Sequence, residues 1–336
     1  MLRRRLLQVS GASSVAALLP ASGSGQAQRA IEIPIATYGS PTNVGVREFV
    51  PVVERIVADR SQGRMRVAHF PGGQLGQDRD FPTSVPLGQV KFAWTTLNNW
   101  TGTVPDTRVF DLPTGLTMDQ MQEAVDRPNT GLRAALAAPM AARNVEIVAF
   151  IDLGAPVIVS KRPVLAPGDL RGMKIRVFSE GGAELMRLAG AAPVSINFAE
   201  VYTSLQSGAI DAALIGFPGI ESQRITEVAN HCVAPGAVLG TSMSSYVVNR
   251  PWLNAMPEAD RTIIRDASRE GEANVRRAVR TEYEEMTTRY RQRGMTVTFL
   301  TADMPQLAEW QRVVRPALER ARGQVSEAVF RAVMPG

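Results

Sequence analysis

The chain has 336 residues, 45% of them hydrophobic, and its 37 basic and 32 acidic side chains give a formal charge of +5. That length accommodates two α/β lobes of ordinary size, and the single cysteine, Cys232, excludes an internal disulfide. Acidic and basic residues are intermixed along the chain, which argues against a polyanion-binding patch and a nucleic-acid partner.

Residues 1–27 read as an export signal: arginines at 3, 4 and 5, an apolar stretch near Val15 to Leu19, then small residues up to Ala27. The arginine pair followed by Leu6 and Leu7 is similar to a twin-arginine signal. The apolar centre is too short to span a bilayer, and no later stretch approaches about 20 uninterrupted apolar residues. Setting the three arginines of this segment aside leaves a mature charge of +2. The mature protein is expected to be exported.

Strand patterns fall at 31–37 and 65–70, separated by a helix that carries Phe49, Val53, Ile56 and Val57 and stops at Gly63. This order predicts a right-handed βαβ unit with parallel strands. Pro51 marks either the first turn of a late-starting helix or a kink in an earlier one. A strand over Phe92 to Leu97, a largely helical segment over 118–142 and a strand over 146–150 complete a first α/β lobe.

At Gly154 the pattern restarts, with strands at 156–159 and 174–177, a turn at 167–169, and further helix, strand and helix to Gly208. Strands at 211–215 and 245–248 follow, the second returning to the first lobe. From Pro257 to Arg293 there is no proline, and Val275, Val279, Tyr283, Met286 and Tyr290 recur at steps of three and four before Gly294. One helix of about 54 Å bracing both lobes fits this spacing; two helices broken near Gly271 fit it as well.

Catalytic constellations are scarce. His69 and His231 are the only histidines, so no His/Cys cluster has metal-ligand spacing and no Cys/His nucleophile pair is evident. There is no Gly-x-Ser-x-Gly elbow or Walker-type phosphate loop, and Gly72 and Gly73 complete no dinucleotide fingerprint. No cofactor and no metal are expected. Arg176 stands out as a charge inside an alternating strand, between Ile175 and Val177. A guanidinium there serves a carboxylate ligand by two parallel hydrogen bonds, a solvated edge, or a structural ion pair. Asn197, Glu200 and Gly208 are the cap and stop of a helix, and Phe70 to Gly76 is a glycine-rich turn after a strand.

Four segments together resemble the binding subunit of the tripartite ATP-independent periplasmic (TRAP) transporters, the dicarboxylate-binding-protein family. They are FPGGQLGQDRD at 70–80, VFDLP at 109–113, LAPGDLRGMKIRV at 165–177 and EVYTSLQSGAID at 200–211, extended by SYVVNRPW at 245–252. The resemblance implies an α/β fold of two lobes with a cleft between them and a long lobe-spanning helix. Its expected division is lobe 1 over 28–153, lobe 2 over 154–240, a return to lobe 1 with the first part of the long helix over 241–280, and a remainder over 281–336 packing on lobe 2.

The resemblance further implies a monomer, a small organic-acid ligand, and small and large membrane subunits as partners. Arg176 becomes the expected carboxylate clamp. Two departures from the family pattern, Pro156 where many members carry a second arginine and Ile215-Gly216 in place of an Asn-Pro pair, point to a more apolar pocket with Phe198, Phe217 and Trp94 nearby. By approximate alignment Tyr38, Thr96, Asn98 and Tyr246 also face the cleft. A secreted enzyme using the same cleft and a sensor subunit presenting its ligand to a receptor are the competing readings.

Overall fold

The computed structural model describes residues 30–321 and 323–334, so the expected export signal lies outside the described residues. Eleven strands are present among them: β1 (Ile31–Thr37), β2 (Met65–Phe70), β3 (Phe92–Thr96), β4 (Val145–Asp152), β5 (Pro156–Ser160), β6 (Lys174–Val177), β7 (Ala192–Ser195), β8 (Ala212–Gly216), β9 (His231–Ala234), β10 (Met243–Asn249) and β11 (Thr296–Phe299). They form two sheets, ordered β2-β1-β3-β10-β4 and β11-β9-β5-β8-β6-β7. Each sheet anchors one lobe.

In the first sheet β1 pairs in parallel with both β2 and β3. The helix joining β1 to β2, Val50–Arg60, starts late: Pro51 lies in its first turn, where a missing N–H leaves no intrahelical bond unmade. A separate turn of helix at Val44–Arg47 precedes it, capped by the Asn43 side chain, which accepts from the Gly45 N–H. The helical segment expected over 118–142 is two helices, Met118–Asp126 and Leu132–Ala141. Thr117 and Gln120 cap the first of them reciprocally.

The chain crosses to the second sheet between Asp152 and Pro156 and returns between Leu239 and Met243. Strand β10 then inserts antiparallel between β3 and β4 of the first sheet. In the second sheet β5 runs antiparallel to β8 and β9, while β6 is parallel to β7 and β8. Pro156 occupies the first position of β5, where its lost donor interrupts the ladder least.

A single helix of 35 residues, Glu258–Gln292, connects the lobes, about 52 Å long. It does not break at Gly271. A side chain there would place its Cβ 2.7 Å from the Phe49 ring, so glycine lets the helix approach this close. Ile264, Val275 and Val279 belong to the first lobe's core, and Met286 and Tyr290 pack into the second lobe's. Buried Glu272 fixes the helix to β4, accepting from the Phe150 N–H at 3.0 Å and from the guanidinium groups of Arg133 at 2.5 Å and Arg276 at 3.1 Å.

The C-terminal segment, expected on lobe 2, divides between the lobes. Trp310, Val314 and Ala317 of the helix Pro305–Ala321 complete a core of the second lobe. The helix Glu327–Val333 returns to the first, burying Val329, Ala332 and Val333 there. Its position is secured by Asp106, which accepts from both the Ser326 N–H and hydroxyl.

Candidate functional site

Strand β6 lies inside the second sheet, so Arg176 has no open edge from which to reach solvent, and only 4% of it is exposed. Its Nε donates to the Ile196 carbonyl at 3.2 Å and its Nη1 to the Leu214 carbonyl at 3.0 Å. The rings of Phe178 and Phe198 each lie 5.9 Å from the guanidinium carbon. Neither hydrogen bond neutralises the charge. Burial pushes the Arg176 guanidinium down to about 10, with nearby Arg79 adding to the effect and Asp78 and Tyr38 opposing it.

The first lobe meets this group with a polar wall. Tyr38, just beyond β1, places its hydroxyl 3.2 Å from Thr96 Oγ1 and 3.5 Å from Ser244 Oγ. Burial raises its pKa, so it stays a phenol at neutral pH. Asp78 accepts from the Thr96 N–H at 2.8 Å and the Thr95 hydroxyl at 2.9 Å, and burial raises its carboxyl as well. Tyr38, Asp78, Thr96, Arg176, Phe178 and Phe198 surround a cavity of about 30 Å³ at the lobe interface, with Leu153, Gly216 and Ser242 from the crossovers and β8 closing it.

Three contacts hold the lobes together beside this cavity. Arg79 donates across the interface to the carbonyls of Val177 and Ile196, and Asn43 Nδ2 reaches Ser222 Oγ at 3.4 Å. The third is a buried carboxylate. Asp111 of the first lobe accepts from Ser179, the cap of the helix Glu180–Leu188 in the second, at 2.6 Å, and from Asn98 at 2.7 Å.

Burial pushes the Asp111 carboxyl up to about 6, against the opposing hydrogen bonds of Ser179 and Asn98 and the charge of Arg108. A raised folded-state pKa means that the folded chain holds a proton that the unfolded chain releases between about pH 4 and pH 6, so this group adds stability as the pH falls through that window. Lowering the pH from 7 to 5 will therefore raise the melting temperature of the wild type relative to Asp111→Asn by a few degrees. A difference that does not change with pH would refute this assignment.

Of the residues expected to face the cleft, Arg176, Phe198, Tyr38 and Thr96 line one cavity. Trp94 stands behind them, fully buried and stacked on Tyr38 at 4.4 Å between ring centroids. Tyr246 lies deeper, stacked on Phe49, with its hydroxyl on the Gly45 carbonyl. Asn98 turns to Asp111 instead of the cleft. Phe217 points to the opposite side of β8 and packs on Tyr283 and Tyr290 of the long helix, because successive residues of an extended chain face opposite ways and Gly216 takes the cleft side. The apolar remainder expected of the pocket comes from Phe178 and Phe198 of the second lobe and Leu153 of the crossover; the first lobe contributes Tyr38 and Thr96, as expected, and Asp78 and Asn43, which the sequence did not disclose.

This geometry sets a fixed, buried cation against a polar wall, an arrangement that an anion can bridge once the lobes part. It supplies no paired base and nucleophile. Residues 36–324 match the family of bacterial extracellular solute-binding proteins, family 7. A solute-binding protein of Verminephrobacter eiseniae is 27% identical over 316 residues, spanning 88% of this chain and 89% of the relative. The C4-dicarboxylate-binding periplasmic protein of Rhodobacter capsulatus is 25% identical over 297 residues, 88% of this chain and 86% of that one. A TRAP periplasmic solute-binding protein of Shewanella oneidensis, solved with bound succinate, superposes with a TM-score of 0.82 at 23% identity, covering 90% of this chain and 98% of its own. Fold, long helix and matched residues agree: the chain belongs to the bacterial extracellular solute-binding proteins of family 7.

Proposed function

We propose that this chain captures a small organic acid in the interlobar cleft and delivers it in the periplasm to the membrane subunits of a TRAP-type transporter. The observation that carries the reading is Arg176: a permanently charged fork, buried at the lobe interface, whose own hydrogen bonds go to neutral carbonyls. A carboxylate supplies the countercharge. Asp78 brings an acceptor to the same cavity, so the best-fitting ligand carries a hydroxyl or ammonium donor beside its carboxylate. The named ligands of the similar proteins, a C4-dicarboxylate and succinate, belong to the same broad class.

The cavity of about 30 Å³ holds little more than a water or two, whereas ligand pockets run to roughly 300–1,000 Å³. Entry therefore requires the lobes to part and the two phenylalanines to swing clear. The ligand acts by binding one arrangement of the lobes better than the other.

A thermal-shift screen against mono-, hydroxy- and dicarboxylates tests this. A true ligand at 100 times its dissociation constant adds about 2.7 kcal/mol of stability, and mass spectrometry should recover it chemically unchanged. Failure of every carboxylate to shift the transition would overturn the ligand class; conversion of the bound acid would overturn the transport reading.

A further inference from the structure

The two crossovers that join the lobes form a partition. Leu153 and Ser242 face the cleft cavity, while their neighbours Asp152, Gly154, Gly240 and Thr241 face a second and larger cavity of about 550 Å³ on the other side. Both lobes wall this second cavity. Leu116 and Met118 come from the first, Val238, Phe299 and Leu307 from the second, and Tyr283 from the helix that spans them.

The chemistry of its wall is one-sided. No lysine, arginine or histidine lines it, and Asp152 is its sole carboxylate. One oxygen of Asp152 ties the crossovers together, accepting from the Gly154 N–H at 2.8 Å and the Thr241 hydroxyl at 3.2 Å; the other is buried without a donor. The Tyr283 hydroxyl stands beside Gly154, where a Cβ would approach it to 3.2 Å. Burial pushes the Asp152 carboxyl up to about 6, with those two hydrogen bonds and the charge of Arg276 opposing, a penalty that a cationic neighbour relieves. The volume falls within the range of ligand pockets, and a mostly apolar wall with a few convergent polar groups is what such pockets share.

We infer that this cavity is a second ligand site, selective for a small organic amine with an apolar body, which seats its hydrocarbon among Leu116, Met118, Phe299 and Leu307 and its ammonium toward Asp152 and Tyr283. It is opposite in charge preference to the cleft. The acids proposed for the cleft are repelled here by Asp152, so the two sites do not compete. Because its walls belong to both lobes, an occupant packs fully only while the lobes hold the arrangement seen in this structure.

Isothermal titration of the purified protein with 2-phenylethylamine, and in parallel with uncharged 2-phenylethanol and anionic 3-phenylpropionate, tests the inference. Saturable one-to-one binding of the amine is expected, weaker binding of the alcohol, and no binding of the acid once Arg176→Ala has disabled the cleft. Ala237→Trp and Leu116→Trp each fill the cavity and should weaken the amine by tenfold or more, with circular dichroism confirming the fold of each; two variants guard against one misfolding. Asp152→Asn should weaken the amine and leave the alcohol unchanged. Amine binding that survives Arg176→Ala separates this site from the cleft, so either can fail without the other. Absence of saturable amine binding, or amine binding indifferent to folded cavity-filling variants, overturns the inference.

Discussion

Replacing Arg176 with methionine will lower the affinity for the cleft acid by roughly 30-fold or more and leave the free protein at least as stable as the wild type. The first effect follows from removing one member of a desolvated charge pair, which typically costs 2–5 kcal/mol of binding, or about tenfold for every 1.4 kcal/mol. The second follows from what Arg176 does without a ligand. Its hydrogen bonds go to two neutral carbonyls, and Asp78 acts on it only through its charge and makes no ion pair with it, so methionine removes a desolvated charge without breaking a salt bridge. Methionine is preferable to alanine here because it fills the space between Phe178 and Phe198. Titration with the best carboxylate from the screen and a melt of the free variant give both numbers. Unchanged affinity would remove Arg176 from the site, and a free variant several degrees less stable would make its role structural.

Gly240→Ala is the second large effect, and it falls on the fold. Gly240 stands in the return crossover with φ +80° and ψ −156°, a region closed to residues with a side chain. A Cβ there would also lie 2.7 Å from the Phe110 carbonyl oxygen and 3.0 Å from the Asp111 carbonyl carbon, both backbone atoms that cannot rotate aside. Strain and clash together should cost roughly 3–5 kcal/mol, or about 5–8 °C of melting temperature in a chain of this size. Gly236→Ala is the natural comparison: φ is +74° there too, but no atom stands within contact distance, so only the conformational penalty of about 1–2 kcal/mol applies. Equal melting temperatures for the two variants would show that the crossover yields, and that the 105–111 segment does not clamp it.

Where a pattern is long or carries a contradiction, the sequence discloses the structure. Strands β1 and β6 and the long helix were legible because alternation or a three-to-four spacing runs through them, and Arg176 was legible because a charge between two buried apolar residues demands a partner. Strands β9 and β11 were not: each has four residues, as β6 has, but neither carries a charge between apolar residues to mark it. The split between the helices Met118–Asp126 and Leu132–Ala141 hides in the short turn around Pro128 and Gly131, and the C-terminal return to the first lobe is set by tertiary packing of Val329 and Val333. Asp78 lay just beyond the glycine-rich turn, in a segment quoted only for the family resemblance, and nothing in the sequence singled out Asn43; their place at the cavity comes from the approach of the two lobes, which no local pattern encodes. Phe217 shows the limit most sharply, since one step along an extended chain separates the cleft wall from the opposite core.

β1 opens the described residues and Glu327–Val333 closes them, and both belong to the first lobe. A fluorescent protein or surface tether attached beside Ile31 or after the helix Glu327–Val333 will therefore report on the first lobe and not on the second. Distance reporters for cargo capture must be placed internally, one label on the first lobe and one on an exposed turn of the second, such as Gly168, where an added side chain meets no neighbour. By the same topology, a protein immobilised through its C-terminus leaves the second lobe free to swing, so tethering need not inhibit binding.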